Sequence, residues 1–64
     1  MRWFSTTDGE YLNSAYIIRL GVEELDEERS FVYGATRVLH EENIYELFVG
    51  SHNSCEEFLE GLIL

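Results

Sequence analysis

Residues 50–63 read GSHNSCEEFLEGLI, and this stretch predicts where the sheet of the protein ends and its helix begins. Ser54 precedes Glu57 by three residues, the spacing of a capping box, so we expect the helix to start at Ser54. The apolar residues that follow recur at helical spacing and form one stripe: Cys55, Phe58, Leu59, Leu62 and Ile63. The sequence therefore predicts a short amphipathic helix whose stripe packs on a sheet.

The segments before this helix are typical of β-strands. Asp8-Gly9 marks a tight hairpin between a first strand at 2–7 and a return strand at 10–12, because the favoured turn needs positive φ at both positions. After a turn at Asn13-Ser14-Ala15, alternating apolar residues predict a longer strand over 16–24. Two more strands are expected at 30–39 and 44–49, joined by a loop at 40–43.

This order of elements predicts an α+β fold. We expect an antiparallel sheet of four to five strands that starts with a β-hairpin, with one C-terminal amphipathic helix packed on one face. A chain of 64 residues buries only about 60% of its unfolded surface, so residues 1–64 are expected to form a single domain with a modest core. The strand residues expected to face the helix are Ile18, Leu20, Val22, Tyr45, Leu47 and Val49.

The opposite sheet face is the predicted interaction surface, since one helix covers only part of such a sheet. Its candidate residues are Trp3, Ile17, Ile44 and Phe48. An exposed apolar patch usually marks an interface, so we expect self-association, most simply as a homodimer. The alternative is that these side chains are scattered surface apolar residues, which are common in folded proteins.

The charge is strongly negative, because four arginines and no lysine face thirteen carboxylates and give a net charge of −9. Binding to phosphate backbones depends on cationic side chains, so direct binding to nucleic acid or to an anionic membrane is not expected. The acidity and the lack of lysine have four alternative origins: solubility, a host with a salty cytoplasm, a genome that favours arginine codons, or mimicry of nucleic acid toward a basic protein. The candidate acidic patch is Glu23, Glu24, Asp26, Glu27 and Glu28.

Cys55 is the strongest candidate for a reactive thiol, since it lies near the expected helix start with His52 three residues before it. The adjacent glutamates favour the neutral thiol, and a lone cysteine on an apolar stripe usually packs as a small hydrophobic residue. A zinc site built from His40, His52 and Cys55 with Glu41 or Glu42 lacks the paired spacing of zinc ligands. We therefore expect no catalytic, cofactor or metal site, no small-molecule substrate and no enzyme activity.

A single cysteine allows no internal disulfide, and the sequence has no apolar run of about 18 residues and no basic signal region. A reducing, cytoplasmic setting is the expected location.

The layout resembles that of small bacterial and phage proteins, including the FlbD/SwrD-like proteins. The resemblance lies in residues 8–13, Asp-Gly-Glu-Tyr-Leu-Asn, followed by Ile17-Ile18, and in residues 45–50, Tyr-Glu-Leu-Phe-Val-Gly, followed by 54–59, Ser-Cys-Glu-Glu-Phe-Leu. It implies a hairpin, further strands and a serine-capped, glutamate-rich helix. It implies no catalytic residues.

The expected function is that of a non-enzymatic protein–protein interaction or assembly module, expected to be a homodimer. The alternative is an acidic nucleic-acid mimic that inhibits or regulates a basic nucleic-acid-processing protein. Under the first hypothesis, Phe48→Asp is expected to dissociate an oligomer without unfolding the chain, whereas Leu59→Asp is expected to unfold it.

Overall fold

The computed structural model describes residues 2–63 and confirms the α+β class. Its strands form two antiparallel sheets instead of one continuous sheet: β1 pairs with β2, and the second sheet has the order β3-β4-β5. A helix, α1, packs on the three-stranded sheet at the C-terminal end of the fold. The bounds are β1 Trp3–Ser5, β2 Tyr11–Asn13, a 3-10 helix Ser14–Tyr16, β3 Ile17–Glu24, β4 Ser30–Val38, β5 Glu41–Gly50 and α1 His52–Ile63.

The first hairpin has a wider connection than the predicted two-residue turn. The Thr6 amide donates to the Glu10 carbonyl at 2.8 Å, and the Gly9 amide donates to the Thr6 carbonyl at 3.1 Å. Gly9 has a φ of +90°, while Asp8 has a negative φ, so the connection is a turn followed by a glycine bulge. The Thr6 hydroxyl donates to the Asp8 carboxylate and lowers the pKa of that group.

The connection between β4 and β5 is shorter than the predicted loop at 40–43. Val38 pairs with Glu41, so Leu39 and His40 alone link the two strands. Leu39 takes a φ of +58° and is 88% exposed. A two-residue hairpin loop needs positive φ in at least one position, and here a leucine supplies it. The prediction that His40–Asn43 forms the loop is therefore wrong, since β5 begins three residues earlier than expected.

Two β-bulges decide which side chains reach the helix. The pairing of β3 with β4 shifts between Ile17 and Arg19, and the pairing of β4 with β5 shifts at Leu47. A bulge adds one residue to a strand and so reverses the faces of the residues beyond it. Leu47 and Phe48 consequently both lie on the helix side, whereas Val49 pairs with Phe31 on the other side. The prediction that Val49 faces the helix is wrong.

The core lies between α1 and one face of the three-stranded sheet, which we call the covered face. Val32, Leu47 and Cys55 are buried there, and Phe4 and Leu12 of the first hairpin add to it. Leu20 and Val22 are confirmed as core residues, whereas Ile18 lies at the β3 bulge and is exposed. The other residues packed against this core are Phe48, Phe58, Leu59 and Leu62.

The helix begins at His52, two residues before the predicted start at Ser54. The Cys55 amide donates to the Ser51 carbonyl at 2.9 Å, and the Ser54 amide donates to the Ser51 hydroxyl at 3.2 Å. Ser51 is therefore the N-cap, because its side chain satisfies a backbone amide in the first turn. The prediction that Ser54 caps the helix is wrong, and Ser54 instead lies inside the first turn.

Candidate interaction surface

The second face of the three-stranded sheet carries a row of aromatic and aliphatic side chains. Because paired residues share a face, residues that alternate with Val32 along β4 lie on the side away from α1. Within the described part of the chain, no helix packs on this side, which we call the open face. Its apolar residues are Phe31, Tyr33, Ala35, Ile44 and Val49.

These apolar residues differ in exposure. Ala35 at the centre of β4 is fully buried by its neighbours, although it lies on the open face. Phe31 and Tyr33 are half-buried, with ring centroids 6.4 Å apart. Ile44 on β5 is 52% exposed. The open face is therefore a partly hydrated aromatic and aliphatic surface.

Arginine side chains border the open face. Arg19 of β3 forms an ion pair with Glu42 of β5, and its guanidinium carbon lies 5.9 Å from the Tyr33 ring centroid. Hydrogen bonding to Tyr33 and the charge of Glu42 raise the pKa of Arg19. Arg37 lies 4.0 Å from the second oxygen of Glu42. The charged groups around Tyr33 are thus held in place from both neighbouring strands.

Tyr33 lies across Gly21 on the adjacent strand. A Cβ atom at Gly21 would come within 2.6 Å of the Tyr33 hydroxyl and 2.8 Å of its ring carbons. A side chain at position 21 would therefore displace the ring. The glycine allows Tyr33 to extend over β3 toward the outer edge of the sheet.

The outer edge of β3 carries backbone groups that no strand pairs with in residues 2–63. The Leu25 amide donates to the Arg29 carbonyl at 2.9 Å, and hydrogen-bonded pairs recur at every second residue of an antiparallel ladder. The odd-numbered residues of β3 therefore direct their amides and carbonyls to β4. The residues that direct these groups outward are Leu20, Val22 and Glu24, and we call them the β3 edge.

The outer edge of β5 is partly occupied. The Thr7 amide donates to the Glu46 carbonyl at 3.0 Å, and the Thr7 hydroxyl donates to the Glu46 carboxylate at 2.6 Å. The connection of the first hairpin thus forms a hydrogen bond with the Glu46 backbone carbonyl in the middle of β5. Edge strands left unpaired are sites of strand addition, so the two edges differ in their capacity to pair.

The four residues predicted to form one interaction face do not lie together. Ile44 lies on the open face, as predicted. Phe48 stacks on the Phe58 ring of α1, and Ile17 lies near Gly34 on the covered face, so placing these two on the second face is wrong. Trp3 is 59% exposed on the first hairpin and belongs to the other sheet. The bulges at Ile18 and Leu47 account for the reversed faces.

The predicted acidic patch lies at the end of the sheet where β3 turns into β4. Asp26 orders this loop: its carboxylate accepts the Glu28 amide at 3.0 Å and the Arg29 amide at 2.8 Å. The Arg29 guanidinium donates to the same carboxylate at 2.9 Å and, with these amides, lowers the pKa of Asp26. The Asp26 carboxylate therefore forms its hydrogen bonds within the loop. The other patch residues, Glu23, Glu24, Glu27 and Glu28, are exposed.

The residues considered for reactivity or metal binding lie apart. Cys55 is fully buried in the core, and its sulfur lies 3.8 Å from the Gly50 carbonyl oxygen. His52 is exposed and lies 2.9 Å from Glu56, while His40 is in the β4–β5 connection. In residues 2–63, no three His, Cys, Asp or Glu side chains are placed to hold a metal ion, and no pocket is present.

The predicted interaction residues did not include five residues of this surface: Gly21, Phe31, Tyr33, Ala35 and Val49. A glycine in the middle of a strand can signal a close approach by another group, and Gly21 was such a signal. Its partner could not be identified without the strand register, which pairs Gly21 with Tyr33.

Among the described residues, no helix has both the length and the apolar character needed to cross a membrane. Comparison with protein-family models, curated proteins and solved structures finds no match to this chain.

Proposed function

We propose that this protein is a non-enzymatic protein–protein interaction module that self-associates through its three-stranded sheet. The observation that carries the proposal is the open side of this sheet, where aromatic and aliphatic side chains face water opposite the covered core. Such a surface on a small domain usually serves an interface. The expected cytoplasmic setting and the resemblance in layout to FlbD/SwrD-like proteins remain part of this proposal and assign no activity to any residue.

The size of the chain supports association. A domain of 64 residues buries a small core, and only Val32, Ala35, Leu47 and Cys55 are buried apolar residues among those described. Domains of this size often gain stability from a partner subunit, because folding and association are then coupled. The high net charge of −9 keeps a chain with such a surface soluble.

Light scattering of the purified protein at low and high salt tests the proposal. We expect the mass of a dimer that changes little with salt, because apolar and backbone contacts dominate the association. A monomer at every concentration and salt tested would contradict it.

The second candidate function is mimicry of nucleic acid toward a basic protein. It is supported by the loop in which Asp26 and Arg29 hold Glu27 and Glu28 at an exposed tip beside Glu24. A pull-down from the native host would recover a basic nucleic-acid-handling protein that washes off with salt, since such complexes depend on charge. Recovery of the protein alone as a salt-resistant dimer would reject the mimic.

A further inference from the structure

We propose that two copies of the chain join through their β3 strands, antiparallel and with Gly21 facing Gly21, to form one continuous six-stranded sheet. This inference rests on the proposed self-association and states where and in what register it occurs. The occupant of the β3 edge is therefore a second copy of the same chain.

The backbone of the β3 edge fits this pairing. The amides and carbonyls of Leu20 and Val22 point away from β4, as the hydrogen-bond pattern of the ladder requires. A two-fold axis at Gly21 places Leu20 of one copy opposite Val22 of the other. Each such pair can exchange two N–H···O bonds, and the two side chains lie together on the covered face, next to the core.

Two charged side chains of β3 are self-complementary in the same register. Arg19 and Glu23 lie two residues on either side of Gly21, and both side chains are on the open face. The two-fold axis therefore sets Arg19 of one copy opposite Glu23 of the other, twice in each dimer. Opposite charges directly across a strand pair stabilise it, and like charges destabilise it. A shift by two residues would lose both ion pairs.

Tyr33 gives the pairing a specific feature at its centre. Its ring lies over Gly21, where a side chain would collide with it. When the two Gly21 residues face each other, the two Tyr33 rings approach each other across the axis and cover the glycines. The half-buried Tyr33 thereby loses exposed area, and the open faces of the two copies become one surface.

A charge-exchange experiment tests the register. Arg19→Glu and Glu23→Arg each set like charges opposite one another, and each is expected to weaken the homodimer about tenfold or more in sedimentation experiments. An equimolar mixture of the two variants is expected to form a heterodimer of wild-type affinity, because both contacts become Glu opposite Arg. Arg37→Glu and Glu27→Arg carry the same charge changes outside β3 and are the matched controls, alone and mixed.

The outcomes separate this inference from the proposed function. A wild-type protein that is monomeric throughout would reject both. A dimer that is unaffected by Arg19→Glu and Glu23→Arg, or variants that do not recover affinity on mixing, would leave self-association standing and overturn the β3 pairing. A dimer that is dissociated by Ile44→Glu and unaffected by Arg19→Glu and Glu23→Arg would indicate a contact between open faces and would likewise overturn the β3 pairing.

Hydrogen exchange gives a second test on the unaltered chain. The Leu20 and Val22 amides are expected to become protected at concentrations where the mass is that of a dimer and to lose protection on dilution. The Gly21 and Glu23 amides point to β4 and are the internal control, protected at both concentrations. Rapid exchange of Leu20 and Val22 in the dimer would overturn the pairing.

Discussion

The Phe48 ring of β5 stacks on the Phe58 ring of α1, with centroids 4.7 Å apart and planes inclined by 11°. This pair joins the helix to the sheet at the rim of the core formed by Val32, Leu47 and Cys55. Stacked aromatic pairs contribute beyond the area they bury. Phe48 is therefore a structural residue, and a substitution there acts on folding before it acts on association.

Phe48→Ala is expected to lower the free energy of unfolding by about 3 kcal/mol, because it removes the stacked ring and leaves a gap against the helix. Phe48→Asp is expected to unfold the chain, since it also places a carboxylate in the core. Leu59→Asp is expected to unfold the chain for the same reason. Urea denaturation followed by circular dichroism measures these effects.

The control for Phe48 is Ile44 on the same strand, whose side chain is on the open face. Ile44→Ala is expected to cost less than about 1 kcal/mol. Equal losses for Phe48→Ala and Ile44→Ala would contradict the assignment of the two faces.

Leu39→Gly is expected to raise the free energy of unfolding by about 1 kcal/mol. A leucine with a φ of +58° is sterically disfavoured. Its side chain is largely exposed, so removing it takes no packing contact from the core. The gain is reduced by the greater freedom of glycine in the unfolded chain. Leu39→Ala keeps the Cβ atom, so no comparable gain is expected from it. If both substitutions stabilised equally in thermal unfolding, exposure of the leucine would be the cause instead of its backbone conformation.

Asp26→Asn is expected to destabilise the protein near neutral pH, because the ionised carboxylate accepts bonds from Glu28 and Arg29. The pKa of Asp26 is lowered from its ordinary value of 3.8, so the stability it contributes is present above that value. This contribution is lost as the pH falls through the lower pKa of the folded state. The difference in free energy of unfolding between the wild type and Asp26→Asn should therefore become smaller below about pH 4.

Urea denaturation at a series of pH values measures this difference. Arg29→Gln removes the largest cause of the lowered pKa and should weaken the pH dependence of the Asp26→Asn difference. Equal stability of wild type and Asp26→Asn at neutral pH would contradict the role of Asp26 in ordering the loop.

Cys55 is expected to react with a thiol reagent at least about a hundredfold more slowly in the native protein than in the unfolded chain. Its side chain is fully buried between Val32 and Leu47, so the reagent reaches it only when the structure opens. The rate of labelling, measured with and without urea at one pH, tests this. Comparable rates in the two conditions would show that the helix detaches readily from the sheet.

The class of fold was predictable because the alternating strand residues and the helical stripe at 55–63 are strong local patterns. The assignment of faces was only partly predictable. Alternation holds until a bulge, and the bulge at Leu47 places two successive residues on the helix side. Such a bulge is visible only in the pairing across strands, and no local pattern around Leu47 signals it.

The ends of two elements were missed for related reasons. Ser51 and Ser54 are both good N-cap residues, and packing of Cys55 in the core favours the earlier start. At the β4–β5 connection, leucine is an unfavourable turn residue, so its positive φ could not be anticipated. The residues of the open face are determined by the positions of the bulges and by the ends of the strands. This is why only Ile44 among them was predicted.

The contact of Thr7 with Glu46 bears on how large an assembly of this protein can become. A sheet with two unoccupied edges can add copies at both ends without limit, which is the route to fibres. Here the loop of the first hairpin obstructs one end through the Glu46 carbonyl and carboxylate. If two copies pair through β3 as we propose, the assembly is therefore expected to stop at two chains. On this proposal the short N-terminal hairpin limits the size of the assembly. Thr7→Gly removes the hydroxyl bond to Glu46 and loosens the loop, so we expect light scattering of this variant to show species larger than a dimer.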